Sequence, residues 1–235
     1  MLSLSYLNFG TIILDTSAIL IVIGILRETR FMRRTGMTVD RLFFRMLVVT
    51  VVMALSDMGA YITANRADPL LTKIQILSMS VFYIAFTVLS MFWFDYCNFK
   101  FKCEQKEAET GFRPVFIPGV ITIALITMNI FTGIIFSVDD MGAYHRNFLF
   151  IPMYIVLILY IGAGFVMIGN YRTIDKKRLI PLWLYVMPLL VSIIITFVVG
   201  EVSMAALGAA ISIAFTHLGT MSEVAEISIR ETKKL

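Results

Sequence analysis

Charge is scarce in this 235-residue sequence: Asp, Glu, Lys and Arg together make up 15% of it, against about 25% in soluble domains. Hydrophobic residues reach 59%, against about 45–50%, and the mean hydropathy is +0.86. A chain of this composition folds in lipid. Cysteine is also scarce. Cys97 and Cys103 flank one expected cytoplasmic helix end, where thiols stay reduced, and their spacing matches neither a zinc site nor a redox pair. Catalytic patterns are missing too: there is no H-E-x-x-H, no G-x-S-x-G and no phosphate-cradling G-x-x-x-x-G-K-[ST]. The Ser56-Asp57-Met58-Gly59 run departs from the Gly-x-Gly-Asp pattern of intramembrane aspartyl proteases. No lysine falls between Val202 and Met221 to hold a retinal as rhodopsins do. No enzymatic activity, metal or cofactor is therefore expected. No basic residue precedes the first apolar run and no A-x-A-like site follows it, so that run is expected to persist as helix one and not to be cleaved as a signal peptide.

What is present is a succession of apolar runs. A bilayer core of about 30 Å needs roughly 20 residues at about 1.5 Å each. Seven stretches meet that length: Leu4 to Leu26, Leu42 to Ala64, Leu70 to Tyr96, Val115 to Val138, Phe148 to Ile168, Leu179 to Val199, and Val202 to Met221. Gly200-Glu201 supplies the breaker and charge between the last two. Pro114, Pro118 and Pro152 fall in first turns, where the missing amide hydrogen costs nothing, whereas Pro188 lies inside helix six and predicts a kink.

The basic residues set the orientation. Arg27, Arg30, Arg33, Arg34, Arg41 and Arg45, then Lys100, Lys102, Lys106 and Arg113, then Arg172, Lys176, Lys177 and Arg178, then Arg230, Lys233 and Lys234 fall on one side. Only Arg66, Lys73 and Arg146 fall on the other. Under the positive-inside rule this predicts an all-α, polytopic bundle of seven transmembrane helices, N-out and C-in. Because the net charge of +4 lies in these short connections, it reads as topology and not as a nucleic-acid surface. Residues 1–221 form the expected membrane domain and 222–235 a cytoplasmic helical extension or tail.

An ionisable group in lipid costs about 2.5–3.5 kcal/mol on insertion scales. Asp15 at the middle of helix one and Asp57 in the outer half of helix two therefore stand out. Counting depth along each helix puts Tyr61, Asn129 and Tyr154 in the same outer half, Glu201 at the outer end of helix six, and Tyr144, His145 and Arg146 just above. One reading is an outward-open pocket for a small ligand, with carboxylates below and basic groups at its mouth. The other is that the two acids are interhelical hydrogen-bond partners and that Asn129, Tyr61 and Tyr154 are packing residues. Helix seven carries small residues along one side, Ala205, Ala206, Gly208, Ala209, Ala210, Ser212 and Ala214. That stripe allows close helix approach within the bundle or in a homodimer.

The stretch Ile134 to Arg146, IIFSVDDMGAYHR, resembles a segment in the seven-helix sensory regions of clostridial signalling proteins. There an apolar helix end with Ile-Phe leads through one or two aspartates to Tyr-x-Arg. The next helix then begins with aromatic residues and proline, as Phe148, Phe150 and Pro152 do here. Asp15, Leu42-Phe43 after a basic loop, and Asp57 also fit, while Asn147 stands where a glycine is usual. Such regions precede a GGDEF diguanylate cyclase or histidine kinase domain. The resemblance thus implies a sensor in a bacterial cytoplasmic membrane, coupled to a cytoplasmic output domain or partner.

Independently, Leu218, Met221, Ala225, Ser228, Thr232 and Leu235 recur at coiled-coil spacing. The rival reading is a small-molecule or proton-coupled transporter, for which Ile23 to Arg27 and Ile168 to Arg172 loosely echo each other. A structural subunit of a membrane complex is the third.

Overall fold

The computed structural model describes the backbone of residues 2–32, 38–102, 114–170, 176–199 and 203–232, and side chains over 8–28, 41–98, 114–163, 185–198, 203–219 and 221. Seven α-helices run through the described residues: α1 (Leu2–Met32), α2 (Thr38–Thr63), α3 (Pro69–Lys102), α4 (Ile117–Thr132), α5 (Phe150–Asn170), α6 (Lys176–Val199) and α7 (Ala205–Thr232). The stretches Asn8–Glu28, Arg41–Thr63, Pro69–Asn98 and Pro114–Thr132 are long and apolar enough to cross a membrane; the apolar parts described for α5, α6 and α7 are shorter. Large apolar side chains such as Phe9, Leu20, Leu55, Leu77, Phe131 and Leu159 face outward. A helix apolar on its outer as well as its inner side suits lipid.

Helix α3 is the spine. It packs on α2, α5 and α4, while α7 packs on α6, α1 and α2, so α2 joins the two groups. The small side of α7 is buried inside the single chain. A Cβ added at Gly208 would overlap the Ser192 side chain and come within 3.0 Å of the Pro188 carbonyl oxygen. Glycine is thus what lets α7 approach α6 so closely, in keeping with small-residue contacts between membrane helices. Helix α6 runs unbroken through Pro188.

The structure corrects the fourth span. Helix α4 ends at Thr132, six residues before the expected Val138, with Gly133 in the left-handed region at φ 62°. The chain then forms an antiparallel hairpin, β1 (Phe136–Val138) and β2 (Tyr144–Arg146), with Ser137 opposite His145. The cause is Asn129. Its Oδ1 accepts from the Ile135 amide at 2.6 Å and the Phe136 amide at 3.3 Å, and its Nδ2 donates to the Phe136 carbonyl at 3.0 Å. One buried side chain thereby satisfies the backbone groups that the chain exposes on leaving the helix. Asn147 completes the fold-back, donating to the Gly133 carbonyl at 2.5 Å and to Ser137 Oγ at 3.1 Å.

The hairpin docks on the α2–α3 connection. The Asn65 amide, at φ 60°, donates to the Gly142 carbonyl at 3.0 Å. Gly142 itself has φ 80°, and a Cβ there would lie 2.7 Å from the Arg66 nitrogen. Only glycine satisfies both the dihedral and the close approach.

Candidate functional site

Hydroxyls within the helices are mostly satisfied locally. Thr50, Ser56, Ser80, Thr87, Ser90, Thr122 and Thr216 each donate to the carbonyl four residues back, which suits a medium without water. Against that background a few buried polar atoms have no hydrogen-bond partner among the described residues. They include both carboxyl oxygens of Asp15, Oδ2 of Asp57, Oε1 of Gln75, and the hydroxyls of Ser203 and Ser212. Trp93 Nε1 and Tyr185 OH share this condition toward the other end of α3, where the two rings stack at 3.6 Å.

Asp57 and Gln75 face the same space. A cavity of about 280 Å³ lies beneath the hairpin, lined by Asp57 and Tyr61 from α2, Gln75, Phe82 and Tyr83 from α3, Tyr144 and Arg146 from β2, and Tyr154 from α5. Thr196 of α6, Ser203 just before α7 and Asn8 of α1 close its remaining sides. Asp57 and Gln75 are each 1% exposed. Asp15 does not line the cavity, but its carboxyl lies near enough to that of Asp57 for the two to interact electrostatically. The Ser203 hydroxyl is a further neighbour of Asp57, although it falls short of hydrogen-bond geometry.

Aromatic rings hold the wall on the α3–α5 side. Tyr83 OH and Tyr144 OH are 2.9 Å apart, and the Tyr83 ring packs against Phe82, Phe136, Phe150 and Tyr154 at centroid distances of 5.1–6.4 Å. Arg146 lies at the rim. Its guanidinium donates to the carbonyls of Thr196 at 3.2 Å and Phe197 at 3.4 Å, and sits 5.0 Å from the centre of the Phe150 ring. A cation at the last turn of α6 is favourably placed for the helix dipole, so Arg146 ties the hairpin to α6 as well as bounding the cavity. Thr196 continues the link, its Oγ1 accepting from the Met204 amide at 3.0 Å.

Of the candidate residues read from the sequence, Asp57, Tyr61, Tyr144, Arg146 and Tyr154 come together around this cavity, while Asp15 lies outside its lining but within electrostatic range of Asp57. Asn129 does not line it, and its amide is occupied by the fold-back after α4. His145 points away on the exposed face of the hairpin, 3.2 Å from Asp139 Oδ2. Glu201 lies outside the described residues. Sequence reading missed Gln75, Tyr83, Thr196 and Ser203. Gln75 carried a signal, being an amide in the first turns of an apolar helix, whereas Tyr83 and Thr196 are ordinary membrane-helix residues and Ser203 an ordinary serine just before α7.

Among the described residues no three His, Cys, Asp or Glu side chains are grouped to hold a metal ion. The class these features define is a helical, membrane-type protein with a polar and aromatic cavity at the hairpin end of its bundle. Comparisons of the chain with known protein families, curated proteins and solved structures return no match.

Proposed function

We propose that the chain is the membrane sensory module of a bacterial signalling protein, with seven spans, its N-terminus outside and its C-terminus in the cytoplasm. In this reading the cavity beneath the hairpin opens outward and takes a small ligand. Helix α7 carries the resulting shift to a cytoplasmic output domain or partner. The observation that carries the reading is the continuity between cavity and α7. Ser203 lines the cavity, and α7 begins two residues later and runs as one helix to Thr232, through Gly219. A ligand touching Thr196 and Ser203 acts at the α6–α7 joint, and a helix of 28 residues at about 1.5 Å each extends that joint by about 42 Å. The uneven division of lysine and arginine among the connections supports the orientation, and the module itself performs no catalysis.

The test is helical phase. Two alanines inserted after Ser222 rotate everything downstream by about 200°, and in a fusion to a reporter kinase they should invert or abolish output. Seven inserted residues should largely restore it. Equal tolerance of both insertions would remove the case for rigid transmission.

A second reading, a proton-coupled transporter, is favoured by the buried carboxyls of Asp15 and Asp57, which lie within electrostatic range of each other, since membrane acids serve proton relays. Uptake driven by a pH gradient in proteoliposomes of the wild-type chain, lost on Asp57→Asn, would select it over the sensor.

A further inference from the structure

We infer that the cavity recognises an organic ammonium group on a short apolar body, with Asp57 and Gln75 receiving its N–H donors and the surrounding rings its charge and carbon skeleton. This rests on the ligand-binding reading of the cavity but not on signalling. At the α2–α3 wall the unmet polar demand is for donors: Asp57 Oδ2 and Gln75 Oε1 are both buried acceptors without partners. An ionised carboxylate accepts only, and an amide oxygen accepts only. An ammonium group offers several N–H donors at one point, and its charge offsets that of a carboxylate held away from water, where an unpaired charge is costly.

The aromatic part of the lining selects in the same direction. Tyr61, Phe82, Tyr83 and Tyr154 surround the space, and aromatic faces attract cations within about 6 Å. An anionic ligand would meet Asp57, while the basic residue of the lining, Arg146, already donates to two α6 carbonyls. Size is limiting as well. A volume of about 280 Å³ falls just below the usual range of ligand pockets, about 300–1,000 Å³. The guest is therefore a compact amine and not a peptide or a polyamine chain.

The experiment uses the full chain in nanodiscs, titrated with n-butylammonium, butan-1-ol, tetramethylammonium and sodium chloride at matched ionic strength. Binding is read by calorimetry and by thermal unfolding. Butylammonium should bind and raise the unfolding temperature. Butan-1-ol, which has the same body without charge, should not, and tetramethylammonium, which is charged without N–H donors, should bind more weakly. Asp57→Asn should weaken butylammonium binding at least about tenfold, the loss of roughly 1.4 kcal/mol. Gln75→Leu should weaken it about threefold, and this second variant keeps the test available where Asp57→Asn does not fold. Equal binding of butan-1-ol, an equal response to sodium alone, or unchanged affinity in both variants would overturn the inference. Failure here with the phase dependence of the α7 insertions intact leaves the sensor standing with another ligand. An amine that binds without changing reporter output overturns the sensor instead.

Discussion

Single polar side chains shape the connection between α4 and α5, and two of them make contrasting predictions. Asn129 is 2% exposed and satisfies two amides and a carbonyl at the end of α4. Asn129→Leu keeps the volume roughly the same but leaves those groups buried without partners, each at about 1–3 kcal/mol. The expected loss, on the order of 3 kcal/mol, should appear as earlier unfolding in SDS titrations. Asp139 works in the open. Its carboxyl accepts from the amides of Ala143 at 2.8 Å and Met141 at 3.0 Å and faces His145. The Ala143 amide foremost, then His145, hold it below the usual carboxylate value of 3.8. A carboxyl whose folded value is depressed supports the turn fully above its ordinary value and loses that support as pH falls through the depressed one. NMR of the labelled carboxyl should therefore give a midpoint under 3.8. Asp139→Ala should speed amide exchange at Met141 and Ala143 at neutral pH. A midpoint at or above the ordinary value would refute the capping role.

At the scale of elements, glycine sets the close contacts. Gly208→Ala pushes a methyl into Ser192, an overpacking that costs about 1–3 kcal/mol. Ser192→Gly should be worth less alone and should rescue part of the loss in the double variant, because the two sites share one space. Strict additivity would mean that the α6–α7 contact is not what Gly208 serves. The α4–α5 hairpin is the element least visible beforehand. Its first strand lies in an apolar run that counts as helix by length and hydropathy, and the left-handed Gly133 together with the reach of the Asn129 side chain ends that helix. Both residues stand in the sequence, but their cooperation is a matter of geometry across six residues.

For the whole molecule, the orientation prediction is sharp. Single cysteines placed at Asn65 and Asp140, in a chain whose native cysteines are replaced, should react with an impermeant thiol reagent added to intact cells. A cysteine at Gly36 should react only after the membrane is opened. Labelling of Gly36 from outside would overturn the proposed orientation, and with it the proposed outward opening of the cavity. The same labelling tests α7, whose extension lies in the cytoplasm only if the proposed orientation holds.

The membrane-like character of the chain and the course of most of its helices are legible in consecutive residues. Scarce charge and long apolar runs define helices suited to lipid, and α1, α2, α3, α5, α6 and α7 fall where those runs lie, because hydropathy and length are properties of consecutive residues. Asp15 and Asp57 were legible as exceptions for the same reason, a charge within an apolar run being visible locally. Which residues share the cavity depends instead on how the helices pack. Depth counting places a side chain along its helix but not around it. It therefore gathered Asn129 with Tyr61 and Tyr154 and overlooked Gln75, Tyr83 and Ser203, which helix rotation and the docking of α3 and α7 bring to the same space. A change of about 100° per residue separates lining a site from packing behind it, and that angle is set by neighbouring helices through contacts distant in the chain.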